Sequence, residues 1–163
     1  MSRKTLTTLL LSVLAAAWAL PGAAQTPLAH HPIGVRAGVT SWGSISQFHF
    51  GMHSDWGELA PSIALVPGFE IGVGDEFTIV TLNGDVLYRS TELVSPPWQS
   101  YGGGSLSFNI IDGPHSGSDT DLGVSGIAGV SHNLSNGHTM LWEIRLGIID
   151  SPDFKFTMGY SLF

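Results

Sequence analysis

The sequence of 163 residues contains no cysteine, which excludes a disulfide-stapled scaffold and a zinc site built from thiolates. It also has few charges, since Asp, Glu, Lys and Arg make up 12% of the chain, against ~25% in an ordinary soluble domain. A formal net charge of −7 with only six Lys and Arg leaves no basic surface for nucleic acid. Hydrophobic residues reach 43%, too many for a disordered acidic chain. The composition therefore predicts one folded domain of unusually low charge.

The first 24 residues have the pattern of a secretory signal peptide. Arg3 and Lys4 give a basic start, an uncharged run follows from Thr5 to Leu20, and small residues at 22–24 suit a cleavage site after Ala24. The uncharged run is shorter than the ~20 residues of a spanning helix, and no stop-transfer charges follow it. We therefore predict a cleaved signal peptide at 1–24, a leader at 25–32 and a folded domain at 33–163.

The rest of the chain lacks a helical period and shows alternation of apolar with small or polar residues. The clearest case is the last segment, where residues 154, 156, 158, 160 and 162 are bulky and apolar and the residues between them are not. Eight such segments predict eight strands, at residues 33–42, 47–53, 63–73, 77–88, 101–111, 122–131, 139–148 and 154–162. Pro67 interrupts the third strand and predicts a bulge or a later start.

The connections between these strands predict a closed up-and-down barrel. Short connections are expected at 43–46, 74–76, 135–137 and 150–153, and longer ones at 54–62, 90–100 and 113–120. The first four connections alternate between short and long, which places tight turns at one rim and loops at the other. The fold class is thus an all-β, eight-stranded antiparallel up-and-down transmembrane β-barrel, if the apolar face points outward.

The composition of the two faces favours a membrane barrel over a lipocalin-like barrel in water. A water-facing surface is about a quarter to a third charged, whereas the polar face here is mostly Gly, Ser and Thr. Small residues suit the narrow lumen of eight strands. The few ionisable groups on this face predict a polar network in the lumen, formed by Arg36, His49, His53, Glu70, Glu143, Arg145 and Lys155. We expect the two histidines to pair with carboxylates such as Glu70.

Aromatic residues near the strand ends are typical of the girdles that anchor a barrel at the membrane surfaces. The predicted girdle comprises Trp42, Trp56, Tyr88, Trp98, Tyr101 and Tyr160.

With its signal peptide, eight amphipathic segments and terminal Phe163, the chain resembles the small outer-membrane β-barrel proteins of Gram-negative bacteria, the OmpA/OmpX/OmpW-like porin-family barrels. The last hairpin, LWEIRLGIIDSPDFKFTMGYSLF, is similar to the closing hairpin of such proteins. The segment GELAPSIALVPGFEIGVGDEFTIVTLNGDVLYR is similar to their third and fourth strands. The resemblance implies an integral protein of the cell outer membrane.

The same resemblance implies the partners. These are outer-membrane lipid and lipopolysaccharide, the barrel-assembly machinery during biogenesis, and an extracellular ligand that the sequence does not specify. Phe163 is the expected assembly signal, although it is one residue out of phase with the apolar face carrying Tyr160 and Leu162.

A lipid A deacylase built on an eight-stranded barrel uses Ser, His and Glu, and this chain has candidates in His132, Ser135 and Glu143. A triad requires hydrogen-bond reach between nucleophile and base. The spacing departs from the deacylase pattern of His and Ser two residues apart, Ser135 is predicted in a turn, and Glu143 is predicted in the lumen. We therefore expect no enzyme and no catalytic residue.

No cofactor and no metal site is expected. His49 and His53 are four residues apart on one strand, a distance of about 13 Å that one metal ion cannot span. His30 and His31 fall in the leader. The expected function is that of a non-enzymatic outer-membrane barrel with a structural, adhesive or loop-mediated binding role. The alternatives are a narrow conduit for small hydrophobic molecules, a lipid A deacylase-like hydrolase, and a periplasmic lipocalin-like carrier.

Overall fold

The structure, a computed structural model, describes residues 32–74, 77–113 and 117–162. The predicted signal peptide, the leader up to residue 31 with His30 and His31, and Phe163 lie outside the described residues. Within the described ranges, no helix is long and apolar enough to cross a bilayer.

Nine strands make up the described part of the chain. They are β1 (Ile33–Trp42), β2 (Ile45–Ser54), β3 (Glu58–Ala60), β4 (Ile63–Gly74), β5 (Phe77–Ser90), β6 (Trp98–Gly113), β7 (Gly117–Asn133), β8 (Thr139–Ile149) and β9 (Phe154–Ser161). β3 has three residues and lies in the connection between β2 and β4. The other eight match the eight predicted segments, and six of them extend beyond the predicted ends, β6 and β7 furthest.

The sheet closes on itself as an antiparallel barrel. Each long strand pairs with its neighbour in sequence, and the circle is completed by β1 with β9 and by β2 with β4. Closure pairs the backbone of every long strand on both sides over most of its length, which is what the lipid interior requires of a spanning sheet. The predicted eight-stranded antiparallel barrel is confirmed.

The apolar face points outward. On β2, Phe48, Phe50 and Met52 are exposed, Phe48 by 71%. The side chains of Gln47, His49 and His53, which have the opposite phase on the strand, are buried. A strand turns successive side chains to opposite faces, so this alternation repeats along the wall. A lipocalin-like carrier has the reverse arrangement, with apolar side chains lining the lumen. The outward apolar belt therefore opposes the carrier alternative.

The connections divide between two rims. The turn rim carries residues 43–44 and 150–153 and the ends of the β4–β5 and β6–β7 pairs, and the loop rim carries residues 55–62, 91–97 and 134–138 together with both described ends of the barrel. The expected long connection at 113–120 is wrong, because β6 and β7 pair as far as Gly113 with Gly117. The polar composition of this stretch, which predicted a loop, belongs to strand residues, and those of β7 extend past the end of β8.

Pro67 causes no bulge and no late start. β4 pairs continuously with β5 from Ile63 to Gly74, and Pro67 lies opposite Gly84. On its other side, β4 pairs with β2 only from Gly68 onward. A proline lacks the N–H that a ladder of hydrogen bonds between strands needs. Pro67 lies at a position where no strand pairs with the side of β4 that faces β2.

Candidate functional site in the barrel lumen

The middle of the lumen is crossed by a chain of buried ion pairs. Glu70 on β4 is 1% exposed and accepts a hydrogen bond of 2.5 Å from Lys155 Nζ on β9. Its other oxygen lies 3.2 Å from Arg36 Nη1 on β1. The same Nη1 lies 3.7 Å from Asp85 Oδ2 on β5. Arg36, on β1, thus connects carboxylates from the two adjacent strands β4 and β5.

Arg145 on β8 continues the chain. Its Nη1 and Nη2 donate to the two oxygens of Asp85 at 2.9 and 2.5 Å, the bidentate geometry that arginine forms with carboxylates. Its Nε donates to Glu143 Oε1 at 2.6 Å. Ser105 Oγ adds a 2.6 Å hydrogen bond to Asp85, and Tyr101 OH adds one of 3.2 Å to Glu143.

These six charged side chains, which we call the lumen charge network, are balanced. Arg36, Arg145 and Lys155 face Glu70, Asp85 and Glu143. Burial of an isolated charge costs several kcal/mol, and the cost is offset only where partners and hydrogen bonds satisfy it. The network ties together five strands from around the barrel, β1, β4, β5, β8 and β9, and fills the lumen at mid-height.

The two lumen histidines bind hydroxyl groups, not carboxylates. The ring of His49 contacts Thr40 Oγ1 at 2.8 Å and Thr157 Oγ1 at 3.0 Å. His53 Nε2 lies 2.9 Å from Ser161 Oγ. The expected pairing with Glu70 is therefore wrong, because Lys155 and Arg36 already occupy that carboxylate.

Between the lumen charge network and the turn rim, the lumen is filled by small polar side chains. Thr81 donates to Asn109 Oδ1 at 2.9 Å, and Gln47 Nε2 donates to the carbonyl of Phe77 at 2.9 Å. Asn109 also reaches the carbonyl of Asp150 at 3.3 Å. This half of the barrel is closed by hydrogen bonds.

Between the network and the loop rim, a cavity of about 310 Å³ remains. We call it the vestibule. Its floor is formed by Arg36, Asp85 and Glu143, and its mouth is reached by rim residues such as Asn133 and Ser161. The lumen is therefore open at the loop rim and closed at mid-height, and it does not form a continuous channel.

Gly68 makes room for the Arg36 guanidinium. A Cβ at position 68 would lie 2.0 Å from Arg36 Nη2 and 2.9 Å from its Cζ. Such a distance is far inside van der Waals contact, so any larger side chain must displace the guanidinium or the wall.

We expect Gly68→Val to lower the free energy of unfolding by about 1–3 kcal/mol, the usual range for overpacking. The measurement is urea unfolding in lipid vesicles, followed by tryptophan fluorescence and by the boiling-dependent mobility of the folded barrel on gels. Gly126→Val is the matched control, because nothing lies within 4 Å of a Cβ at that position. Equal losses of unfolding free energy in the two variants would show that replacing any glycine of the wall has this cost, and that the space for the Arg36 guanidinium is not the cause.

The three triad candidates are not brought together. His132 lies on β7 with its ring 4.6 Å from that of Trp98, edge to face. Ser135 is exposed in the turn that follows β7. Glu143 is buried on the lumen side, where Arg145 and Tyr101 hold its two oxygens.

Three residues of the predicted girdle are exposed near the loop rim, namely Trp56, Tyr88 and Trp98. At the same rim, the ring of Tyr160 stacks on that of His138, with 5.3 Å between the ring centroids. Trp42 ends β1 at the turn rim. Tyr101 differs from the expectation, because its hydroxyl group points into the lumen to Glu143. Trp142, absent from the predicted set, lies 5.5 Å from Trp98 and adds to the aromatic cluster of the loop rim.

All seven residues predicted for the lumen network are buried inside the barrel. Asp85, however, was missing from that set, although it joins both arginines. Charge balance is the signal that points to it: the predicted set contains three basic residues and only two acids, and a buried lumen requires a third acid. Asp85 is the acid of β5 and has the same phase as Thr81 and Asn83.

No family model and no curated protein matches the chain. The structure is similar to that of Neisserial surface protein A, with a TM-score of 0.63 and 14% sequence identity over 80% of this chain and 94% of that one. It is also similar to the N-terminal β-barrel domain of Pseudomonas aeruginosa OprF, with a TM-score of 0.61 and 11% identity over 81% and 96% of the two chains. The chain has the fold of the small eight-stranded outer-membrane barrels.

This fold agrees with the outward apolar wall, and both features are those of an integral outer-membrane β-barrel. The resemblance to the OmpA/OmpX-like barrels is thereby confirmed at the level of fold. At these sequence identities the comparisons establish the fold and do not assign an activity.

Proposed function

We propose that this chain is a non-enzymatic, non-conducting outer-membrane barrel that acts by binding partners at its rims. The observation that carries the proposal is the lumen charge network, which crosses the barrel at mid-height. The interior of an eight-stranded barrel is narrow enough for side chains to fill it, and at mid-height these side chains are paired ions. A solute would have to break several buried ion pairs to pass.

The turn rim offers a surface for a partner. β7 pairs with β8 only from Val124 onward, so residues 117–123 project beyond β8 and pair with β6 alone. Ser118, Asp119 and Thr120 are exposed on this projecting hairpin. Strand edges left without a neighbour are templates for further pairing, which supports an adhesive or binding role. Lipopolysaccharide, which surrounds such barrels, and the barrel-assembly machinery, read through Phe163, remain the proposed partners in the membrane.

The enzyme alternative has little support in the geometry. A deacylase needs Ser, His and an acid in hydrogen-bond contact on the lipid side, whereas Glu143 is bound inside the lumen. The alternative of a conduit for hydrophobic molecules is opposed by the charged, filled centre of the lumen.

We expect the purified protein to give no conductance steps in a planar lipid bilayer, whereas the double variant Glu70→Ala/Asp85→Ala gives steps or increased leak because two anions are lost from the network. The same preparation incubated with lipopolysaccharide should leave the lipid A acyl chains unchanged by mass spectrometry. Discrete openings of the unmodified protein would overturn the non-conducting barrel. Loss of an acyl chain that disappears in Ser135→Ala would instead establish the hydrolase.

A further inference from the structure

We propose that a groove in the outer wall of the barrel is a binding site for one acyl chain of a zwitterionic phospholipid. We call it the wall groove. It has a volume of about 640 Å³ and is lined by residues of five adjacent strands, β8, β9, β1, β2 and β4. The site lies on the wall that meets lipid and is independent of the proposed binding at the rims.

The edge of the wall groove nearer the loop rim is a row of side chains that crosses all five strands. The registers of the strand pairs place side by side, in this order, Phe69, Met52, Val35, Tyr160 and Met140. Neighbouring strands are ~4.8 Å apart, so the row is about 19 Å long. One lipid chain crosses half of a hydrocarbon core of ~30 Å, which is a similar length.

The second row of the wall groove contains a hollow at Ala37. The strand partners of Ala37 are Phe50 on β2 and Met158 on β9, and both are exposed and line the groove. A methyl group therefore lies between two long apolar side chains. A hollow left unfilled loses the dispersion contacts of its lining. The wall thus favours a narrow, flexible apolar body that follows this shape.

The wall groove also contains all three methionines of the described residues, Met52, Met140 and Met158. Methionine is unbranched and polarisable, and it is used at surfaces that adapt to ligands of variable shape. An acyl chain is such a ligand, because it changes conformation freely along its length. The concentration of methionine at one place on the wall is the second feature that indicates a bound chain.

The position and shape of the wall groove favour a lipid chain over a second copy of this protein. Arg36, which lies between Val35 and Ala37 on β1, belongs to the lumen charge network, so the groove extends from mid-height toward the loop rim. The medium around an outer wall at this height is hydrocarbon. A two-fold dimer would place the same patch of both copies face to face, and two hollows facing each other enclose a void.

The charges of the chain favour a zwitterionic phospholipid over lipid A. The phosphate groups of lipid A require cations, but every Lys and Arg of the described residues is engaged inside the barrel. Arg36, Arg145 and Lys155 belong to the lumen charge network, and Arg89 pairs with Asp55 at the vestibule. The described outer wall therefore offers no cation to a phosphate, whereas a zwitterionic phospholipid carries its own ammonium group.

The experiment is native mass spectrometry of the full barrel, purified from outer membranes in mild detergent, with dipalmitoyl phosphatidylethanolamine added as the probe. We expect saturable retention of one phospholipid per barrel. Ala37→Phe fills the hollow and should weaken retention about tenfold, the effect of losing some ten carbon–carbon contacts. Ala128→Phe is the matched control, because Ala128 is an exposed alanine of β7 outside the wall groove. It should retain the phospholipid as the unmodified protein does.

A second measurement uses the unmodified protein, so that it does not depend on the folding of a variant. A phospholipid with a nitroxide on its acyl chain should broaden the isotope-labelled methyl signals of Met52, Met140 and Met158, and unlabelled phosphatidylethanolamine should reverse the broadening. Broadening that unlabelled lipid does not reverse would indicate bulk contact and overturn the proposal. Equal loss of lipid in Ala37→Phe and Ala128→Phe, retention of lipid A instead, or a lipid-free dimer would overturn it as well.

Discussion

Asp85→Ala is expected to lower the free energy of unfolding by about 3–5 kcal/mol, the cost of leaving a buried charge without its partner. Asp85 is 1% exposed and accepts both terminal nitrogens of Arg145 and the hydroxyl of Ser105. Without it, Arg145 keeps only Glu143 as an ionic partner, and Arg36 keeps only Glu70. The lumen then contains three cations and two anions, which is the physical cause of the loss.

The measurement is urea unfolding in lipid vesicles, read by the boiling-dependent gel shift. Asp112→Ala is the matched control, because Asp112 is an exposed aspartate near the turn rim and should change stability by less than about 0.5 kcal/mol. The double variant Asp85→Ala/Arg145→Met restores the charge balance and should recover part of the loss. If Asp85→Ala lowered the unfolding free energy by less than about 1 kcal/mol, water and not Asp85 would be what stabilises the buried charges of the arginines.

Leu82→Arg is expected to lower stability in a bilayer by about 2–4 kcal/mol, the cost of arginine on the lipid face near mid-membrane. Leu82 is exposed halfway along β5 and lies between Phe69 and Phe108 of the neighbouring strands. Its surroundings are apolar on both sides, so an arginine there has no partner in the wall. Unfolding in vesicles of a single phospholipid measures the effect.

Thr78→Arg is the control for this variant. Thr78 is on the same face of the same strand, four residues closer to the turn rim, and is exposed. Near the membrane surface the cost of arginine falls to about 0–1 kcal/mol. Equal costs at the two positions would contradict a depth-dependent lipid contact, and a gain in solubility without detergent for Leu82→Arg would mean that the wall faces water.

Much of the fold could be predicted from residues close together in the chain. Alternation along a strand is local, so the period-two pattern of segments such as 154–162 identified the eight strands and the apolar face. Low charge on the other face then indicated a lumen, not a water-facing surface. The ends of the strands were harder, because 113–120 has the composition of a loop but pairs as a β-hairpin.

The partners inside the lumen could not be predicted in this way. They depend on which strands lie across the barrel from each other, on the stagger of the sheet and on side-chain reach, and none of these is local. Hence the sequence placed Glu143 and Arg145 together, two residues apart on one strand, but missed that Asp85 from β5 holds Arg145 as well. For the same reason it assigned the histidines to Glu70 and Tyr101 to the girdle.

The sequence by itself therefore determined the class of barrel, its strands and which face meets lipid, because a period of two and a shortage of charge are properties of the chain alone. Only the tertiary structure decided how the buried charges pair, that the lumen is closed at mid-height, and that a cavity remains between the lumen charge network and the loop rim. Those features arise where side chains from distant strands meet in a confined space, and a closed barrel is what brings them there.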